Sequence, residues 1–261
     1  MNGSVSLAGR KAFVTGGASG LGEAAAKLFT DLGAEVFICD INADGIDAAV
    51  ARTGAKGAGI GDIASLPDVD RMVAEAVAAL GSVDLVFNSA GIGDDLVPMI
   101  EQDPERWQRV IDVNLRGTYL VCRATGMRMI ADNVAGSIVN VSSICGLGGF
   151  PRRTAYGAAK AAVGHFTRTL ACEWGKHAIR VNCIAPGYIR TPMVADLLER
   201  KMFDEKPRVM RTPLERMGLP DEIARTAAFL MSDWASYITG AEIPVDGGWS
   251  AFGAVGDVAS A

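Results

Sequence analysis

The sequence predicts a doubly wound parallel α/β sheet in a single domain, and three observations carry that expectation. Short apolar strands alternate with helical stretches, a glycine-rich turn joins the first strand to the first helix, and no linker, internal repeat or low-complexity tract divides the 261 residues. Strand and helix in alternation give parallel pairing through right-handed crossovers. This length is near the upper limit for one core and normal for one α/β domain, so residues 1–261 are read as one unit.

Lys11 to Thr15 reads as a buried strand that runs into Gly16-Gly17-Ala18-Ser19-Gly20-Leu21-Gly22 and then an alanine-rich helix to about Leu32. Glycines allow a tight turn and let backbone amides and a helix N-terminus approach a diphosphate closely. The spacing G-x-x-x-G-x-G departs from the common dinucleotide fingerprint G-x-G-x-x-G, so its place between strand and helix is what marks a phosphate cradle. Glu35 to Cys39 forms a second strand that ends in Asp40. A carboxylate there can accept both ribose hydroxyls of an adenosine and repels a 2′-phosphate, which favours NAD over NADP. No arginine follows Asp40, and Ser19 is neutral. Further strands are expected at Asp84 to Asn88, Ser137 to Ser142, Ile179 to Ile184 and Glu242 to Val245, and Pro67 and Pro104 sit where helices begin.

Ser143 closes the Ser137 strand, and thirteen residues later stands Tyr156-Gly157-Ala158-Ala159-Lys160. Residues i and i+4 of a helix share a face, so the phenol and the ammonium point into one site. A tyrosine that acts as a base near neutral pH needs its pKa, normally about 10, lowered by roughly three units, or about 4 kcal/mol. Lys160 is the expected source. The Ser143 hydroxyl can hydrogen-bond the oxygen whose proton Tyr156 removes. Ser142 is the neighbouring alternative, but adjacent strand residues face opposite ways. A bare Tyr-x-x-x-Lys also occurs on solvated helix faces, and the pair takes its meaning from the glycine turn.

With these elements the chain resembles the short-chain dehydrogenase/reductase family over roughly residues 5 to 248. The resemblance rests on Thr15-Gly16-x-x-x-Gly20-x-Gly22, Asp62-Ile63, Asn88-Ser89-Ala90-Gly91, the set Asn114, Ser143, Tyr156 and Lys160, Pro186-Gly187-Tyr188-Ile189-Arg190-Thr191-Pro192, and Asp246-Gly247-Gly248. It implies a Rossmann-like fold and a catalytic tetrad of Asn114, Ser143, Tyr156 and Lys160. It implies an NAD(H) site formed by Gly16, Ser19, Gly20, Leu21, Gly22, Asp40, Ile41, Asp62, Ile63, Asn88, Ala90, Gly91, Tyr156, Lys160, Pro186, Gly187, Ile189 and Thr191. In that scheme Asp62-Ile63 meets the adenine, Lys160 binds the nicotinamide ribose, Thr191 and the Ile189 backbone meet the carboxamide, and Asn114 helps hold a water through which protons reach solvent. Ser89 replaces the second asparagine of the family's usual pair. A small hydrogen-bonding side chain remains, so the strand end is expected to hold its shape.

Composition narrows the field. A net charge of −5 argues against a nucleic-acid partner, because affinity for phosphates needs clustered cations. No apolar stretch reaches membrane-span length, and the first seven residues lack the basic region and apolar core of a signal peptide. Five cysteines without CxxC spacing fit reduced thiols in a cytoplasmic protein, and two histidines on one helix leave no His-rich metal centre.

Two helices, Trp107 to Ile130 and Ala155 to Trp174, carry more apolar surface than one sheet face needs. By family resemblance they form the dimer interface of a homotetramer. The substrate pocket is expected to include Ser143, Cys145, Phe150, Tyr156, Tyr188 and Met193, with Leu147 adding to an apolar wall. A mobile lid is expected over about 190–217, where Met193, Val194, Leu197, Leu198, Met202 and Phe203 stand beside Arg200, Lys201, Lys206, Arg208 and Arg211. Those cations, and Arg152 with Arg153, either meet an anionic substrate or form a solvated face. The expected activity is interconversion of a secondary alcohol, polyol or cyclic or hydroxysteroid-like, with its ketone. A reductase of acyl thioesters is the alternative, although it usually prefers NADPH; a nucleotide sensor without catalysis would not need all four tetrad positions filled.

Overall fold

The computed structural model describes residues 5–202, 204–254 and 258. Phe203 of the expected lid and part of the expected tail, 249–261, lie outside the described residues. The chain runs β1 (Lys11–Thr15), α1 (Gly20–Asp31), β2 (Glu35–Asp40), α2 (Ala43–Thr53), β3 (Gly57–Ile60), α3 (Leu66–Leu80), β4 (Leu85–Asn88), α4 (Pro104–Ile111), α5 (Thr118–Ala131), β5 (Gly136–Val141), α6 (Ile144–Leu147), α7 (Thr154–Trp174), β6 (Ile179–Pro186), α8 (Pro192–Glu199), α9 (Glu205–Arg211), α10 (Pro220–Met231) and β7 (Glu242–Val245). Seven strands form one sheet in the order β3-β2-β1-β4-β5-β6-β7, all parallel. The order reverses at β1 and β4. Crossovers wind opposite ways from there, which opens a crevice at the carboxyl ends of the central strands.

Alternate strand residues feed two cores, as a pleat of period two requires. Phe29 of α1 and Ile223 and Leu230 of α10 pack with Ile38, Phe87 and Ile184 on one face. Met72 of α3, Leu120 and Met129 of α5 and Leu170 of α7 pack with Phe37, Val86 and Ile138 on the other.

The six expected strands form within a residue or two of their expected ends, and proline opens α3 and α4 behind the caps Ser65 and Asp103. Strand β3, Gly57-Ala58-Gly59-Ile60, carries no strand signal. It exists because it pairs with β2, where the Phe37 ring lies 3.1 Å from where a Cβ on Gly57 would stand.

The expected helix Trp107 to Ile130 is not continuous. A π-helical turn, Asp112–Gly117, separates α4 from α5. Its cause is Asn114, whose Nδ2 donates to Val110 O at 2.9 Å, the carbonyl one turn back. A side chain that takes that acceptor displaces the regular ladder, and π-bulges of this sort gather at functional sites. On α7, Ala155, Ala159, Val163, Thr167 and Leu170 are buried, while Ala158, Ala161, His165, Arg168 and Thr169 are exposed. His177 stands in a 3-10 turn beyond α7, so the two histidines do not share a helix.

Candidate active site

The candidate side chains gather at the carboxyl ends of the central strands, with Asn114 carried by the π-helical turn and Tyr156 and Lys160 by α7. Beyond β1 the chain turns through Gly16 (φ +67°) and Gly20 (φ +59°), a left-handed backbone that side chains rarely adopt. A Cβ on Gly22 would stand 2.1 Å from Gly16 O, so only glycine lets α1 start this close to the turn. At the end of β2, Asp40 is tied to the turn: Oδ2 accepts from Ala18 N at 3.0 Å and Oδ1 from Asn42 N at 2.9 Å. At the end of β4, Ser89 Oγ donates to Thr15 O at 2.5 Å, and the Ser89 and Ala90 amides both donate to Thr15 Oγ1 at 3.1 Å. Serine thus holds the strand end as expected.

These ends frame a cleft of about 330 Å³. Its wall holds Gly16, Ser19, Gly20, Leu21, Gly22, Asp40, Ile41, Asp62, Ile63, Ala90, Gly91, Asn114, Ser143, Tyr156, Lys160, Pro186, Gly187, Ile189 and Thr191. Asn88 is the exception among the expected residues. It lies under the floor, its Nδ2 donating to Asn140 Oδ1 at 2.8 Å on the neighbouring strand, because a strand residue pointing into the core cannot also face the crevice. Arg109 also lines the cleft, donating from Nη2 to Asp62 Oδ2 at 2.7 Å. Nothing in the local sequence marks that residue, which comes to Asp62 from a helix 47 residues away.

At the inner end, Ser143, Tyr156 and Lys160 converge. Ser143 caps α6, its Oγ accepting from Cys145 N at 3.1 Å. Helix α6 presses on α7 so closely that a Cβ on Gly146 would stand 2.8 Å from the Lys160 carbonyl carbon, and this contact brings the Ser143 hydroxyl close enough to the Tyr156 phenol to favour its ionised form. Ser142 faces away and donates to Glu242 Oε1 at 2.7 Å. Lys160 is buried, donates from Nζ to Val141 O at 2.8 Å and stands 5.5 Å from the Tyr156 ring centroid. Asn114 Nδ2 donates to Ile92 O as well as to Val110 O, and its buried Oδ1 has no partner among the described residues. A Cβ on Gly91 would lie 2.5 Å from that oxygen and 3.6 Å from Lys160 Nζ, so glycine keeps the corner between them open.

The electrostatics of the chain alone run against the simple expectation. Burial pushes the Tyr156 phenol up to about 12, opposed chiefly by the Arg153 cation and the Ser143 hydrogen bond. Burial also lowers the Lys160 ammonium to about 8. Desolvation disfavours whichever form is charged, so both groups are driven toward neutrality. In the chain alone, burial therefore outweighs whatever the nearby ammonium does to the phenol.

A second cavity of about 230 Å³ adjoins the first through Ser143, Tyr156, Gly187, Met193 and Val194. Cys145 and Tyr188 line it as expected, but its wall is more polar than the sequence suggests: Asp94, Asp95, Arg106, Arg153, Asp196 and Arg200 all reach it. Phe150 and Leu147 do not. Phe150 stacks on Trp249 at 6.4 Å between ring centroids, Trp249 in turn meets Tyr188 edge-on at 4.9 Å, and Leu147 is 42% exposed. Asp94 accepts the Tyr156 amide at 3.2 Å, a link across 62 residues that no local pattern announces.

The site suits a dinucleotide: a glycine cradle that any Cβ would fill, a carboxylate fixed beside it by two amides, and a long cleft ending at a hydroxyl, a phenol and an amine. Comparison with known proteins agrees. Residues 16–250 match a family model described as enoyl-(acyl carrier protein) reductase. The chain is 39% identical over 246 residues to 2,5-dichloro-2,5-cyclohexadiene-1,4-diol dehydrogenase of Sphingobium indicum, covering 94% of this chain and 98% of that protein. It is 39% identical over 248 residues to cis-4-hydroxycyclohexanecarboxylate dehydrogenase of Sinomonas cyclohexanicum, covering 94% and 98%. It is 42% identical over 247 residues to a 3-oxoacyl-[acyl-carrier-protein] reductase of Chlamydia muridarum, covering 93% and 98%. Among solved structures, levodione reductase superposes with a TM-score of 0.88 at 32% identity, covering 94% of this chain and 98% of that one. With the fold, the cleft and these relatives in agreement, the chain belongs to the short-chain dehydrogenase/reductase family and is an oxidoreductase that interconverts an alcohol and its ketone.

Proposed function

We propose that the chain oxidises a small cyclic secondary alcohol to its ketone with NAD, and catalyses the reverse reduction with NADH. The convergence of Ser143, Tyr156 and Lys160 where the two cavities meet carries this proposal. The glycine turn and Asp40 would hold the diphosphate and the adenosine ribose of NAD, which would supply the hydride acceptor. Tyr156 takes the proton from the substrate hydroxyl as the carbinol C–H leaves as hydride, and returns it in the opposite direction. Ser143 donates to the substrate oxygen and keeps it on the phenol. Lys160, held by Val141 O, would meet the nicotinamide ribose, and Asn114 Oδ1 would order a water linking this ammonium to solvent. Arg153 favours the phenolate that burial disfavours, and the positive ring of an oxidised nicotinamide would act in the same direction.

The segment 190–217, with α8 and α9, covers the substrate cavity. We assign the exposed faces of α5 and α7, where Tyr119 and Met127 are 46% and 57% exposed, to contacts within a homotetramer. The second reading is 3-oxoacyl-thioester reduction, favoured by the similarity to the Chlamydia reductase; Asp40 and the small second cavity count against it. NADH formation over a panel of cyclic and acyclic secondary alcohols, set against acetoacetyl-thioester reduction with NADPH, decides. Turnover of the thioester with NADPH and none of the panel would overturn the proposal.

A further inference from the structure

We propose that Arg153 holds a carboxylate of the substrate, so that the alcohol oxidised is a small hydroxy acid and its product the corresponding keto acid. This rests on the alcohol oxidoreduction set out above and names its substrate class. Six charged side chains line the second cavity, and four of them are already matched: Arg106 pairs with Asp95 at 3.1 Å and Arg200 with Asp196 at 3.2 Å. Asp94 is turned to the helix, its two oxygens accepting the Tyr156 amide at 3.2 and 3.3 Å, and it feels the Arg153 charge without forming an ion pair with it.

Arg153 is left. It is half-buried, its guanidinium carbon stands 5.5 Å from the Tyr156 ring centroid, and among the described residues no carboxylate or carbonyl accepts from it. A guanidinium carries five donors in a planar fork that matches a carboxylate, and such charge-assisted pairs strengthen in a partly desolvated site.

Position and charge both select the ligand. The fork lies over the ring whose phenol takes the carbinol proton, so the carboxylate and the reacting carbon are within the span of one small molecule. The volume of about 230 Å³ is below the range of about 300 to 1,000 Å³ usual for drug-sized ligands, and Cys145, Met193, Val194 and Leu197 offer apolar contact to a short hydrocarbon body. Arg153 is the guanidinium of this cavity whose donors are still open, and its single charge suits a monoanion. A phosphate dianion would leave a surplus charge beside Asp94, whose own carboxyl burial already pushes up.

The test compares 4-hydroxycyclohexanecarboxylate with its uncharged methyl ester. Wild type is expected to show kcat/KM for the acid about tenfold to a hundredfold above that for the ester, mostly through KM. Arg153→Met should bring the ratio to about one or below, and Arg153→Lys should recover part of it. Calorimetric titration with cyclohexanecarboxylate, which cannot react, should show binding to wild type weakened at least about tenfold in Arg153→Met, while thermal melting and NADH fluorescence report that each variant is folded. Equal rates on acid and ester in wild type, or an acid preference that survives Arg153→Met, would overturn the assignment of Arg153 and leave the alcohol chemistry standing. No turnover of any alcohol by a wild type that binds NADH would overturn the alcohol chemistry itself, whereas cyclohexanecarboxylate binding would still report on Arg153.

Discussion

Replacing Asp40 should collapse the proposed preference for NAD over NADP from both directions. A carboxylate offers about four acceptor sites, and the amides of Ala18 and Asn42 use two of those on Asp40, leaving two for the ribose hydroxyls. A charge-assisted hydrogen bond contributes about 1.5 to 3 kcal/mol, so Asp40→Asn should weaken NAD by about tenfold to a hundredfold. Unit charges about 4 Å apart at an effective dielectric near 20 repel by about 4 kcal/mol before screening, so losing the charge should improve NADP by tenfold to several hundredfold. The ratio of kcat/KM for NAD to that for NADP should therefore fall by about two to four orders of magnitude. Asp40→Asn keeps an oxygen that can accept an amide, whereas Asp40→Ala loses both anchors of the glycine turn and should also melt lower. Inversion should require a cation as well: Ile41 is 64% exposed, so Ile41→Arg in the Asp40→Ala background supplies one at little burial cost. A wild type that uses NADP as well as NAD would refute the placing of Asp40 on the ribose.

Tyr156→Phe should lower turnover by at least about a hundredfold with little change in NADH affinity, because only the proton-transfer group is removed; near-normal turnover would exclude the phenol from the chemistry. Lys160 should leave a signature in stability. Its ammonium falls to about 8 in the folded chain from 10.5, so the unfolded chain binds that proton more tightly and wild type gains on the order of 3 kcal/mol relative to Lys160→Met as pH rises from about 8 to 10.5. Urea unfolding of the two proteins across that range measures the difference; parallel curves would mean that Lys160 is not desolvated. Sedimentation at micromolar concentration should show a tetramer, and a stable monomer would leave the exposed Tyr119 and Met127 unassigned.

The strands and the glycine turn were legible in the sequence because their signals are local. Apolar runs such as Lys11–Thr15, a loop whose glycines admit a left-handed backbone, and a four-residue step from Tyr156 to Lys160 each state their geometry within a few residues. What the sequence left open depends on partners far along the chain. Strand β3 is a strand only because β2 pairs with it and Phe37 covers its glycines. The break at Asn114 follows from its side chain reaching both Val110 and Ile92, and the burial of Asn88 beneath the cleft follows from strand register. The charge of the second cavity was legible only as scattered residues: Arg106 and Arg200 are neutralised and Arg153 is left open by distances across the fold. Likewise, spacing placed the phenol and the ammonium on one face, but the depth at which α7 is buried decided that desolvation drives both groups toward neutrality.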